Sequence, residues 1–325
     1  MRRRDFMTLA GATAVAAPPA ALAQAPSKAY RIGLLNIAGP DGGPFEAPFL
    51  RGLALRGYVP GQNLTVERRG AGGHADRLAE LVAELVASEV ELIIGLGYLP
   101  VLAAKQGTTL PVLEFSAGDP VATGLAESLA RPGGHVTGIS DVSAEVTPKR
   151  LELLKELAPN LRRVAMLYNA DDLAMILRYK ASEAGAKALG ISVQPLGVRA
   201  PTDFEAAFAA MERDMPDGIL MVSDPLTNLN RTQVFEFAGA HRLPGIYEYD
   251  FLARAGGLMS YGLDLNECFE RVAALVDRML NGTKPADLPF EEPTRFGFAL
   301  NLRTAKAIGF TIPSSLLARA DEVFE

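Results

Sequence analysis

The chain has 325 residues, 49% of them apolar and 22% charged, with a formal net charge of −6. That length exceeds the ~150 residues of an average domain and fits two, and the apolar share excludes a disordered chain. No basic stripe stands out, which argues against a nucleic-acid partner, and three well-separated histidines with one cysteine give no zinc-type spacing.

Arg2, Arg3 and Arg4 open the chain, an uncharged stretch from Met7 to Ala17 follows, and Ala21-Leu22-Ala23 precedes Gln24. Residues 1–23 therefore read as a secretory signal peptide, and Arg3-Arg4-Asp5-Phe6-Met7 has the twin-arginine pattern. The apolar run is far shorter than the ~20 residues needed to span a bilayer. The expected location is periplasmic, reached by the twin-arginine or the general secretory route.

Tyr30–Asn36 predicts a buried strand, Phe45–Gly57 a helix, and Leu64–Arg69 a strand after the turn Pro60-Gly61-Gln62-Asn63. His74–Ser88 carries Leu78, Leu81, Val82, Leu85 and Val86 at the spacing of one helical face. Glu91–Leu96, Pro100–Gln106 and Leu110–Phe115 continue as strand, helix and strand, the rhythm of βαβ units with right-handed crossovers. A second series follows: helix Lys149–Leu157, strand Arg163–Asn169, helix Asp171–Leu189, strand Ser192–Val198, helix Asp203–Arg213, strand Gly218–Val222, helix Asn228–His241 and strand Gly245–Tyr247.

The fold class is α/β, with two doubly wound parallel-sheet lobes. The Gly-rich, polar stretch from Arg131 to Ser143 reads as the connection between them, and Gly256-Gly257 to Gly262 as a return crossing. The helix Leu263–Leu280 would then complete the first lobe. Lobe 1 is expected over 28–141 plus 258–288 and lobe 2 over 142–257 plus 289–325. About three crossings make a hinge, and closure around a ligand is the motion they support. Cys268 lies in the apolar-periodic helix and reads as an inert thiol that forms no intramolecular disulfide.

Catalytic signatures are missing: no G-x-S-x-G, no P-loop and no G-x-G-x-x-G, since Pro100 stands where a third glycine would follow Gly95-Leu96-Gly97. Polar and aromatic residues gather instead at the carboxyl ends of predicted strands, where open parallel sheets bind ligands. They are Asn36, Tyr98, Ser116 and Asp119 in the first series, with Asn169, Asp224, Tyr247 and Glu248 in the second. Ser223 and Tyr249 lie on the same edge. Each also has a structural reading: Asn36 and Ser116 as strand-end hydrogen bonders, Asp171 as a helix cap, Asp119 and Asp224 as turn or cap residues before proline, and the tyrosines as half-buried packing.

Asp119-Pro120-Val121-Ala122-Thr123-Gly124-Leu125, Ser128-Leu129-Ala130-Arg131-Pro132-Gly133-Gly134 and Thr137-Gly138 together resemble ABC-transporter substrate-binding proteins of the tryptophan/tyrosine-transport type. Lys149-Arg150-Leu151-Glu152-Leu153-Leu154, Gly256-Gly257-Leu258-Met259-Ser260-Tyr261-Gly262 and the ending from Asn301 to Val323 are similar to that family in the same order. The resemblance implies a type I periplasmic-binding fold, no enzyme activity, no cofactor, and a monomer that captures a small molecule and delivers it to an ABC permease in the inner membrane. It also implies binding positions at Tyr98, Ser116, Asp119, Asn169, Asp224 and Tyr247. The chain departs from the family at Tyr98, where Thr or Ser is usual, and at Asn169-Ala170-Asp171-Asp172-Leu173, where Asn-Pro-x-Asn-Pro is common. The added aspartates fit either a cationic or hydroxyl-rich ligand or the capping of a helix. A sensor subunit that docks on a receptor kinase, or an exported hydrolase or lyase using Asp119, Asp224 or Glu248, are the competing readings.

Overall fold

A computed structural model describes residues 28–40, 43–140 and 143–325; the expected signal peptide lies outside the described residues. The first lobe is built from β1 (Tyr30–Asn36), α1 (Glu46–Ala54), β2 (Leu64–Gly70), α2 (Leu78–Ala87), β3 (Leu92–Leu96), α3 (Tyr98–Gly107), β4 (Val112–Phe115) and β5 (Val136–Ile139). Its strands form a wholly parallel sheet in the order β2-β1-β3-β4-β5. A parallel sheet covered by helices on both faces needs near-continuous apolar strands. β3 meets that demand with Leu92, Ile93, Ile94 and Leu96, all buried.

The second series runs α4 (Ser143–Leu157), β6 (Arg163–Asn169), α5 (Leu173–Ala188), β7 (Ser192–Val198), α6 (Asp203–Arg213), β8 (Gly218–Met221), α7 (Pro225–Leu229), α8 (Arg231–Ala240), β9 (Gly245–Tyr247), α9 (Asp250–Arg254) and β10 (Met259–Leu263). After α10 (Leu265–Leu280) come β11 (Phe296–Asn301), α11 (Leu302–Ile308), α12 (Ser314–Leu317) and β12 (Glu322–Phe324). The second sheet has the order β12-β11-β10-β9-β8-β6-β7, parallel except where β10 meets β11.

Three features differ from the sequence expectation. The stretch expected to be connection contains β5, which pairs with β4 and extends the first sheet, because Val136 and Ile139 bury apolar surface there. β10 pairs with β9 and β11 in the second sheet, so the chain returns to the first lobe at Asp264 and not at 258. The helix expected over Asn228–His241 is two helices: Asn230 turns back to donate from Nδ2 to the Leu226 carbonyl at 2.9 Å, and α8 starts afresh.

α10 does complete the first lobe. Cys268, Phe269, Val272, Leu275 and Val276 form its buried face and join a core with Phe49 and Leu53 of α1. Each such fully buried side chain contributes about 1.5–3 kcal/mol. Burial pushes the Cys268 thiol up to about 12, which keeps it neutral and unreactive. The crossings lie side by side: Ser140 donates to the Glu291 carbonyl at 2.8 Å, and Glu291 donates back to Gly138 at 3.0 Å.

Beside these crossings, Glu248 is fully enclosed between two arginines. Arg150 of α4 reaches it at 3.0 Å and Arg178 of α5 at 3.3 Å. Arg150 Nε also donates to the Tyr261 carbonyl on β10 at 2.6 Å. Buried charges persist only when paired and hydrogen-bonded in this way.

Candidate ligand cleft

The carboxyl ends of the two sheets face one another across a cavity of about 260 Å3. From the first lobe its wall takes Asn36, Phe45, Leu96, Gly97, Phe115 and Ser116, and from the second Ser223, Asp224, Pro225, Asn228, Arg231, Tyr249 and Phe251. The lobes touch around it. Gly118, at φ +86°, brings its backbone so near α5 that an added Cβ would lie 2.6 Å from Ala174 Cβ. Gly97, at φ +89°, lies against Pro225 in the same manner, with 3.4 Å to Pro225 Cδ.

One wall is aromatic. Phe45 stands edge-on to Phe115, Tyr249 and Phe251, with centroids 5.6–5.9 Å away. Tyr249 and Phe251 stack at 5.7 Å, and Phe115 packs behind on Phe269 of α10 at 4.6 Å. Tyr249 belongs to the second lobe's chain but packs into the first lobe's core, where its hydroxyl and that of Ser116 lie 3.0 Å apart. Ser116 adopts φ +62°, a backbone conformation that costs a residue with a Cβ about 1–3 kcal/mol and persists where the surroundings enforce it.

The opposite wall is polar. Asp224 caps α7: its Oδ1 accepts from the backbone N–H groups of Leu226 at 2.6 Å and Thr227 at 3.1 Å, while Thr227 Oγ1 accepts from Asp224 N. Asp224 Oδ2 is buried and makes no hydrogen bond of ordinary geometry among the described residues, and the Asn169 backbone N–H acts on the same carboxyl. Burial pushes this carboxyl up to about 6, against the pull of its N–H donors and of Arg178. Asp172, the cap of α5, is pushed up to about 7 by burial and then by the charge of Asp224. Asp172 also holds the Tyr98 hydroxyl above its ordinary value, a smaller cause there than burial. Arg231 brings a cation to the wall and donates to the Asn228 carbonyl at 2.7 Å.

Of the residues expected at the site, Asn36, Ser116 and Asp224 line this cavity. Asn36 also stabilises its own strand end, where Oδ1 accepts from Ala38 N at 3.0 Å. Five others do not line it. Tyr247 is 1% exposed inside the second lobe's core, edge-on to Phe235, because the alternation of β9 turns it away from the strand-end opening. Glu248 is occupied by Arg150 and Arg178. Tyr98 packs its ring into the core at the start of α3. Asp119 is exposed and holds the turn N–H groups of Val121 and Ala122 at 2.8 and 3.1 Å. Asn169 accepts from Asp171 N at 3.1 Å.

Asp171 is not the helix cap. It pairs with Arg199 at 2.9 Å on the surface, and Asp172 caps α5 instead. Phe45, Phe115, Asn228, Arg231 and Phe251 were missed by sequence reasoning. Phe115 directly precedes Ser116 on a strand end and was within reach of the same rule; the others come from helices and turns with no periodic signal.

Two hinged α/β lobes with a walled cavity between their sheet edges define a binding protein of the type I periplasmic fold. The pattern of the ABC transporter substrate binding protein family matches residues 46–324, and the chain belongs to that family, whose members bind substrates and are not enzymes. A relative described as a tyrosine-binding protein, from Clostridioides difficile, is 24% identical over 261 residues, covering 80% of this chain and 75% of its own length. A solved ABC domain in complex with L-Trp, from Streptococcus pneumonia, is 25% identical with a TM-score of 0.83, covering 92% of this chain and 100% of its own. A ligand-free, open substrate-binding protein with adhesive properties, from Clostridium difficile, has a TM-score of 0.62 at 23% identity, over 91% of this chain and 99% of its own. No helix among the described residues is long and apolar enough to cross a membrane.

Proposed function

We propose that the protein is the exported solute-binding component of an ABC importer. It acts as a monomer, closes its lobes around a small organic molecule with an aromatic or apolar part, and delivers it unaltered to an inner-membrane permease. The observation that carries this reading is the cavity itself, because its walls come from both lobes and one wall is built of aromatic rings. Such a ligand binds the closed form better than the open one, which is what closure requires. Relatives described as binding tyrosine and tryptophan support the aromatic ligand. The arginine-rich start, apolar stretch and Ala21-Leu22-Ala23 support export to the periplasm.

Native mass spectrometry of protein purified from its own host is expected to show one co-purified small molecule. Adding that molecule to stripped protein is expected to contract it in X-ray scattering. A ligand that emerges chemically changed, or lobes that do not move with any component of cell extract, overturns the reading.

A further inference from the structure

Glu114 stands near the end of β4 and is 0% exposed, outside the wall of the cavity and in a strand that is otherwise apolar. Its cross-strand neighbours are both glycines, Gly95 on β3 and Gly138 on β5. Paired residues of a sheet share a face, so the two glycines leave a slot for the acid between them. A Cβ added to Gly138 would lie 2.6 Å from Glu114 Cγ. Within the slot, Oε2 accepts from the buried backbone N–H of Ala117 at 3.0 Å. Oε1 is buried and makes no hydrogen bond among the described residues. Arg178 of the opposite lobe is the cation that acts on Glu114, and it also bonds to Glu248 and to the Ser223 carbonyl. Ionising a carboxyl so placed is costly, and burial holds this one well above the ordinary carboxylate range.

The bond to Ala117 spans a turn that local energetics oppose. Ser116 stands at φ +62° and Gly118 at φ +86°, and of the two only the glycine takes the left-handed region freely. Ser116 lines the cavity, and Gly118 is where the first lobe meets Ala174 of α5. Ala117 between them is 0% exposed and belongs to a core shared with Ala174 and Met175 of the second lobe. Its N–H, left without an acceptor there, would cost the desolvation of a buried donor.

Building on the receptor reading, we infer that Glu114 is the positioning residue for lobe closure: through the Ala117 N–H its carboxyl holds the turn that presents Ser116 to the cavity and Gly118 to α5. The acid does not touch the ligand. It sets the backbone that does, and the contact against which the second lobe closes.

Three variants of the full chain test this. Glu114→Gln keeps an oxygen that accepts from Ala117, whereas Glu114→Leu removes the acceptor at similar volume. Tyr58→Phe controls for plain loss of stability, because it removes one hydrogen bond of the same lobe, to Asp277 at 2.6 Å, away from the turn. Hydrogen exchange at the Ala117 and Gly118 amides is expected to quicken about tenfold or more in Glu114→Leu alone. Lobe separation is read between spin labels on cysteines introduced at exposed Val86 and Met215, one in each lobe, Cys268 being buried. With L-tryptophan added, the parent, Glu114→Gln and Tyr58→Phe are expected to close. Glu114→Leu is expected to keep the open separation and to bind L-tryptophan about tenfold more weakly. Unchanged exchange or normal closure in Glu114→Leu, equal opening in Tyr58→Phe, or failure of Glu114→Gln to close overturns the inference and leaves the receptor reading intact. A parent that closes neither with L-tryptophan nor with any cell extract removes that reading itself.

Discussion

Asp172 and Asp224 are short acidic side chains that cap helices and are buried beside the cleft. Their raised values carry a stability consequence. Asp172 moves from 3.8 to about 7 on folding, so over that interval the native state binds more protons than the unfolded chain. Stability therefore falls as pH rises from about 4 to 7, and the contribution of the neutral form is lost above 7. Asp172→Asn preserves the cap and is expected to raise the melting temperature at pH 8 by more than at pH 5, as read by thermal denaturation at both. Tyr249→Phe removes only the hydroxyl that meets Ser116. With about 1 kcal/mol for one hydrogen bond within the folded protein, stability is expected to fall by about that amount, read as a lowered urea midpoint.

At the scale of elements, the cleft depends on how closely α5 approaches the β4–α3 edge of the other lobe. Gly118 permits that approach twice over: it has no Cβ to strike Ala174, and it takes φ +86° without strain. Gly118→Ala is expected to weaken ligand binding and to leave an expanded scattering profile in the presence of ligand. Adding Ala174→Gly relieves the contact but not the backbone strain, so the pair is expected to recover closure while staying less stable than the parent. If the double variant closes no better than the single one, the contact is not what limits closure.

For the whole molecule, the buried Arg150–Glu248–Arg178 cluster ties α4, α5 and the end of β9 together, and the Arg150 bond to Tyr261 extends it to β10. These elements flank two of the crossings, so the cluster fixes the second lobe just where the hinge leaves it. Removing the central acid leaves two buried guanidinium groups without it. Glu248→Ala is expected to cost about 3–5 kcal/mol, measured as a shifted urea midpoint. Glu248→Ala with Arg150→Met is expected to recover part of that loss, because a buried charge is removed along with its partner.

Apolar periodicity determined the element order, because a strand covered on both faces must be apolar throughout and a helix must present one apolar stripe, and both patterns survive in one dimension. It also determined the two-lobed α/β class and α10's place in the first lobe. Asn36, Ser116 and Asp224 were legible for a related reason: the carboxyl ends of parallel strands are known once the strands are. Tertiary structure alone decided the rest. Whether β5 and β10 join a sheet depends on edges supplied by β4, β9 and β11. Tyr247 and Tyr249 stand two residues apart in one segment, yet one packs in its own lobe's core and the other reaches into the opposite lobe, beyond the last residue of β9 where alternation no longer governs direction. The aromatic wall joins Phe45 to Phe251 across two hundred residues, and no local pattern records which distant ring will stand opposite.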